Sequence, residues 1–243
     1  KAFYHAMSGR PGPVALALPE DMLRELTDVG DAERYKTVRP GVEPADVEKM
    51  QAMIASAERP LVIVGGGGWT EAACADITDY TTANELPVAA SFRCQDIIDN
   101  NRDCYVGELG TSVNPALAER VKEADLLLVV GARLGEMTTS GYSLISAPRP
   151  KQKLIHIYSD PDELGRVYQP DLPIAAAVDR FAAAVKAALP IASGNWREWA
   201  TAARQDYLAN LKECTALPGE VDMVQVIAEI QERVGDDAII ASD

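Results

Sequence analysis

Along the middle of the chain, short apolar runs alternate with longer stretches in which apolar residues recur every three or four positions. Leu61–Val64, Pro87–Ala90, Asp125–Val130 (apolar after its first residue), Lys153–Tyr158 and Ile174–Ala177 are runs of strand length, rich in Val, Ile and Leu. Most of them do not alternate with polar residues, so they predict strands buried on both faces. Between them lie helical patterns: one starts near Glu43–Asp46 and carries Val47, Met50, Met53 and Ile54, and others run over Thr70–Asn84, Asn114–Glu123 and Asp179–Leu189. Pro115 suits the first turn of its helix, where a missing N–H costs nothing. Strand and helix in alternation predict an α/β fold, a doubly wound parallel sheet covered on both faces, over residues 45–190.

The flanks read differently. Within residues 1–23, Val14–Leu18 is a short apolar run bounded by prolines, predicted as a strand. A single strand leaves its backbone groups without partners, so it is expected to close a domain that begins upstream of Lys1. Residues 24–44 are polar, with Gly30, Pro40 and Gly41, and read as a linker. Residues 191–219 read as a second linker carrying a helix, whose stripe of Trp196, Trp199, Ala203 and Tyr207 is expected to make core contacts. Residues 220–243 read as a fresh α/β start: a helix over Val221–Val234 and a strand over Asp237–Ser242. The pattern is that of one whole domain between two partial ones.

Charge and composition narrow the classes. The 243 residues carry a formal net charge of −14, spread along the chain, which predicts a solvated surface and no nucleic-acid footprint. Cys74, Cys94, Cys104 and Cys214 fit no C-x-x-C spacing for metal or redox chemistry. Cys94 and Cys104 are close enough to meet across a turn, but reduced thiols and a cytoplasmic location are the expectation. No apolar run reaches the ~18 residues of a membrane span, and Lys1–Met7 lacks the pattern of a secretion signal.

Candidate chemistry gathers at the ends of the strands. Gly65–Gly68 joins a strand to a helix, where glycine lets the backbone turn and a ligand approach, and where the helix start offers N–H groups to an anion. In an open parallel sheet, ligands sit beyond the carboxyl ends of the strands. The candidate ligand-binding residues are therefore Gly66, Gly67 and Gly68, Gly110 and Thr111, Gly131, Ala132 and Arg133, and Ser159 and Asp160. Arg133 can meet a diphosphate as a planar fork. The alternative is structural: the glycines permit tight packing, and Arg133 holds a carboxylate such as Glu136 or Asp160. His5 and His156 are isolated, and His156, in an apolar strand, is expected to be structural.

Five stretches taken in order resemble one family, the thiamine-diphosphate enzymes of the acetolactate-synthase type. G-R-P-G-P-V-A-L-A-L-P-E-D-M resembles the close of their pyrimidine-binding domain, and R-P-L-V-I-V-G-G-G-G the opening strand of their central domain. A-D-L-L-L-V-V-G-A-R-L and L-I-H-I-Y-S-D-P-D-E-L-G resemble later strands and turns of that domain, and D-A-I-I-A-S-D the first strand of the diphosphate-binding domain. The resemblance implies a parent enzyme that decarboxylates or joins 2-oxo acids, with thiamine diphosphate and Mg2+ bound by residues outside this chain, as a homo-dimer or homo-tetramer. The family's catalytic glutamate and its G-D-G…N metal motif would lie before Lys1 and after Asp243, so no catalytic residue is assigned here and the chain alone is expected to be inactive.

In such a family the central cleft holds FAD, ADP or nothing. Where acetolactate synthases carry G-A-R-F-D-D-R, this chain has Gly131-Ala132-Arg133-Leu134-Gly135-Glu136-Met137; their Gly-Asp near the last strand is Ala176-Ala177, and the first Asp of H-x-D-x-D-P is Tyr158. Each lost charge-assisted contact is worth roughly 1.5–3 kcal/mol in a site that uses it. An ADP-like ligand or an empty cleft is therefore expected over FAD. The competing readings are a stand-alone FAD- or ADP-binding module and a ligand-free structural domain; a deacylase of similar fold is disfavoured by the missing cysteine pairs.

Overall fold

The computed structural model describes residues 1–191, 194–212, 219, 221–235 and 238–241. Its helices are α1 (Ala2–Met7), α2 (Pro44–Ala55), α3 (Glu71–Ala83), α4 (Pro115–Glu123), α5 (Val178–Ala187), α6 (Arg197–Asn210) and α7 (Met223–Arg233). Its strands are β1 (Pro60–Val64), β2 (Val88–Ser91), β3 (Tyr105–Leu109), β4 (Leu126–Val130), β5 (Lys153–Tyr158) and β6 (Leu172–Ala175). They form one sheet in the order β3-β2-β1-β4-β5-β6, and every pairing is parallel. The chain runs outward from β1 to β3, returns to β4 beside β1, and then runs outward the other way. That reversal is the topological switch point of a doubly wound sheet.

The two faces of the sheet are two cores, and the strand period of two separates them. Val62, Val64, Val88, Leu128, Val130, Ile155 and Ile174 pack with Met50 and Ile54 of α2, Ile77 of α3 and Phe181 of α5. Leu61, Ile63, Ala89, Leu127, Val129 and Leu154 pack with Leu117 and Val121 of α4 and Ala203 of α6 on the other face. β1 and β4 are buried throughout, which is why their sequences read as unbroken apolar runs. Local signals start the helices. The Thr70 hydroxyl accepts from Ala73 N at 3.1 Å at the head of α3, and the Asn114 carboxamide accepts from Ala116 N at 2.9 Å at the head of α4.

The chain divides into two compact units, Lys1–Tyr207 and Leu208–Asp243. In the first, the aromatic stripe seats the start of α6: Trp196 donates its indole N–H to Asn84 O at 2.9 Å and Trp199 to Pro60 O at 3.0 Å. Arg204 donates to Tyr105 O at 2.8 Å, on the edge strand β3. In the second, Asp222 caps α7 by accepting from Val224 N at 2.9 Å.

Three expectations are corrected. Val14–Leu18 is not a strand; Val14, Leu16 and Leu18 are exposed, and the lack of a neighbouring strand to satisfy the backbone is the physical reason. Residues 238–241 of the expected strand Asp237–Ser242 are likewise irregular, while Asp237 and Ser242 lie outside the described residues. β3 was not expected: Gly107 and Glu108 interrupt its apolar run. The expectation of reduced thiols, by contrast, agrees with the structure: Cys74, Cys94 and Cys104 are free, and Cys214 lies outside the described residues.

Candidate functional site

A cavity of about 900 Å³ opens at the carboxyl ends of the strands, within the size range of small-molecule sites. Its floor is the switch point. Gly66, Gly67 and Gly68 follow β1, Gly131 and Arg133 follow β4, Tyr158 ends β5 and Ser159 follows it; all seven line it.

The loop glycines divide by role. Gly66 has φ +71° and Gly131 has φ +75°, in the left-handed region open to glycine. A Cβ on Gly66 would stand 2.0 Å from the Gly131 carbonyl oxygen, and one on Gly131 would stand 2.4 Å from the Gly65 carbonyl oxygen. These two glycines let the β1 and β4 turns touch. Gly67 is different: a Cβ there would meet nothing within 4 Å. Its backbone faces the open cavity. Trp69 pins the loop from below by donating its indole N–H to Gly65 O at 2.9 Å.

Arg133 stands over the cavity with its Nε 3.1 Å from Glu163 Oε1; Arg133 is 40% exposed and Glu163 only 8%. Its ion-pair partner is thus Glu163, and neither Glu136 nor Asp160. Asp160 works one step further back. Its carboxylate accepts from Asp162 N at 3.1 Å, closing the turn Pro161–Glu163 that carries Glu163. His156 is buried in β5 and donates Nε2–H to Ala132 O at 2.9 Å. Burial holds its pKa below the usual imidazole value, against the opposing pull of the Ala132 carbonyl and Glu163. Burial also raises the Tyr158 phenol; among the surrounding charges, Arg10 and Arg133 pull it down while Glu163 and Asp160 push it up.

The far wall comes from distant sequence. Ser159 Oγ donates to Gly9 O at 2.7 Å, and Ala177 N donates to Pro40 O at 2.9 Å. These bonds bring Arg10 and Arg39 to the rim, where Arg39 pairs with Asp179 in the first turn of α5.

Of the ten residues expected from sequence, Gly66, Gly67, Gly68, Gly131, Arg133 and Ser159 line the cavity and Gly110, Thr111, Ala132 and Asp160 do not. Gly110 sits against Glu108 and Phe92, and Ala132 is buried in the core of one sheet face. Tyr158, of the strand-end turn Tyr158-Ser159-Asp160, lines the cavity as well. Arg10, Arg39, Glu163 and Asp179 are not marked as site residues by the sequence; only G-R-P-G-P holds a signal for Arg10, and its resemblance is to the close of a domain.

Thiamine diphosphate held through Mg2+ needs clustered hard oxygen ligands. Among the described residues no three His, Cys, Asp or Glu side chains are grouped to hold a metal. No helix among the described residues is long and apolar enough to cross a membrane.

Strand order, switch point and cavity define the class: a doubly wound α/β domain with a crevice of the kind that takes small ligands. Comparison with known proteins narrows it. Residues 47–185 match the family model of the thiamine pyrophosphate enzyme central domain. The chain belongs to that family. It is 26% identical to the acetolactate synthase isozyme 2 large subunit of Escherichia coli K12, over all of this chain and 43% of that protein. It is 30% identical to a probable acetolactate synthase large subunit of Methanocaldococcus jannaschii, over 71% of this chain and 30% of that protein. The chain thus spans less than half the length of these relatives. A solved benzoylformate decarboxylase from Polynucleobacter necessarius shares the fold, with a TM-score of 0.60 at 21% identity, over 79% of this chain and 36% of that one.

Proposed function

We propose that the chain is the central part of a thiamine-diphosphate-dependent enzyme that decarboxylates or joins 2-oxo acids, and that its cavity binds an adenine nucleotide of ADP size. In this reading, residues 45–190 are the central domain, 1–23 and 220–243 belong to neighbouring domains, and 24–44 and 191–219 connect them. The parent is a cytoplasmic homo-dimer or homo-tetramer that takes thiamine diphosphate and Mg2+ through residues outside this chain.

One observation carries the nucleotide reading: an exposed guanidinium, Arg133, and an unhindered backbone at Gly67 face the same cavity at the switch point of a parallel sheet. A diphosphate would bind Arg133 as a fork and lie on the Gly67 backbone, with Arg10 as a second cation. Ser159, Gly66, Gly68 and Gly131 shape the walls around it.

A second reading, a spacer with no ligand, is favoured by the contact between the β1 and β4 turns, which accounts for Gly66 and Gly131 without one. Calorimetry separates the two. ADP binding that weakens about tenfold in Arg133→Ala, the loss of one charge-assisted contact, supports the first reading. No heat with ADP, and no flavin absorbance or FAD binding, supports the spacer.

A further inference from the structure

Arg133 is held at two points that have no other assigned use. Its backbone is fixed through Ala132, whose carbonyl accepts from buried His156 at 2.9 Å. Its head is fixed through Nε, which meets Glu163 Oε1 at 3.1 Å. Glu163 is itself immobilised. Its side chain is 8% exposed, and it ends a tight turn in which its own N–H donates to Asp160 O at 3.2 Å and the Asp160 carboxylate takes Asp162 N. An ion pair closest at Nε leaves the outer edge of the fork, the two Nη groups, for another partner. That edge is what two oxygens of one phosphoryl group need.

Resting on the nucleotide reading above, we infer that Glu163 is a positioning residue: it holds Arg133 by an ion pair at Nε and thereby presents the Nη pair of Arg133 to a phosphoryl group of the bound nucleotide. Glu163 does not touch the ligand. Being negative, it opposes an anion in the cavity, so its contribution lies in orientation and not in charge. This separates two substitutions. Gln at 163 keeps the length of the side chain and removes the charge that forms the ion pair; Ala removes both.

The test uses the full chain, with Glu163→Gln and Glu163→Ala. Titrations with ADP, adenosine and inorganic pyrophosphate are run beside 15N spectra of the arginine Nε–Hε groups and thermal melts. The expected result is ADP and pyrophosphate binding weakened about tenfold in Glu163→Ala, the scale of one charge-assisted hydrogen bond. In Glu163→Gln, which also loses the ion pair, it is weakened too, and adenosine binding is unchanged in both. The Arg133 Nε–Hε signal should be protected in the wild type and lost in both variants. ADP or pyrophosphate binding that is strengthened in either variant overturns the inference, because removal of a negative charge, and not loss of orientation, would then dominate. So does a parallel fall in adenosine and ADP binding, which marks a general loss of fold, or an Nε–Hε signal that survives in Glu163→Ala. If the wild type binds neither ADP nor pyrophosphate, the nucleotide reading falls and takes the ligand role of Glu163 with it. The spectra then still report whether Glu163 orients Arg133.

Discussion

Substituting alanine at Gly66 and at Gly67 separates backbone packing from ligand contact within two consecutive residues. Gly66→Ala places a side chain on a residue with φ +71°, which disfavours an L-residue by about 1–2 kcal/mol. The new Cβ also stands 2.0 Å from the Gly131 carbonyl oxygen and 3.0 Å from its carbon. The β1 and β4 turns must part to admit it, and forced repacking of that kind costs about 1–3 kcal/mol. The two terms together give a loss of about 2–5 kcal/mol. Gly67→Ala meets nothing within 4 Å, so its stability should stay within about 0.5 kcal/mol of wild type. Urea unfolding followed by tryptophan fluorescence measures both, and Trp69, bonded to Gly65 O, reports on this loop. In a chain of this size, each kcal/mol also moves the melting point by roughly 2–4 °C. The cavity reading adds an opposite expectation for binding: Gly67→Ala sets a methyl group where a diphosphate would lie and should weaken ADP while the fold stays intact. If both variants lose the same stability, or if Gly66→Ala is neutral, the assignment of the two glycines to different tasks is wrong.

Other outcomes follow from the same geometry. His156 has a folded pKa below its ordinary value of about 6.5 because it is buried. Its contribution to stability is therefore fully present above that pH and is lost as pH falls below it toward the lowered folded value, at a slope of up to about 1.4 kcal/mol per pH unit; His156→Gln should flatten denaturation curves measured between pH 5 and pH 7. Phe181 is completely buried between α5 and the sheet, so Phe181→Ala should cost about 3–5 kcal/mol in urea unfolding without changing which nucleotides bind. Hydrogen exchange should show the amides near Gly9 and Arg10 gaining protection when ADP is added, since Arg10 lines the same cavity as Arg133; unchanged exchange alongside ADP binding would remove Arg10 from the site.

What could be read from sequence follows the physics of burial. β1, β4 and β5 lie inside a parallel sheet, so almost every side chain is apolar and the run is unmistakable. β3 lies on an edge and pairs only with β2, so it carries Gly107 and Glu108 and has no such run. At the site, the glycine loop and the G-A-R turn were legible because they directly follow strong strands. Gly110 and Thr111 also follow a strand, but that strand is the edge, and they lie outside the cavity. Glu163 and Asp160 were in view as letters, yet which carboxylate meets Arg133 depends on the turn Pro161–Glu163, and spacing alone does not fix it. Arg10 and Arg39 reach the cavity through irregular segments, which leave no periodic trace.

The crevice and its chemistry have separate origins. The crevice comes from topology: once the chain reverses between β1 and β4, two turns must meet at the carboxyl end of the sheet, and Gly66 and Gly131 let them touch. A domain with no ligand would need the same two glycines, so a glycine-rich loop is weak evidence for one. Evidence for a ligand lies in groups that the fold does not need. The unhindered Gly67 backbone is one. Arg133 is another, because a half-exposed ion pair adds about 0–1 kcal/mol to stability, while a buried carboxylate such as Glu163 is costly to place unless it is paired. The fold gains little by burying Glu163 to hold an exposed guanidinium, and a small domain has many cheaper ways to close a turn. Burial of the carboxylate beside exposure of the guanidinium is what an oriented, outward-facing arginine requires, and it is on this asymmetry, more than on the glycine run, that the case for a phosphorylated ligand rests.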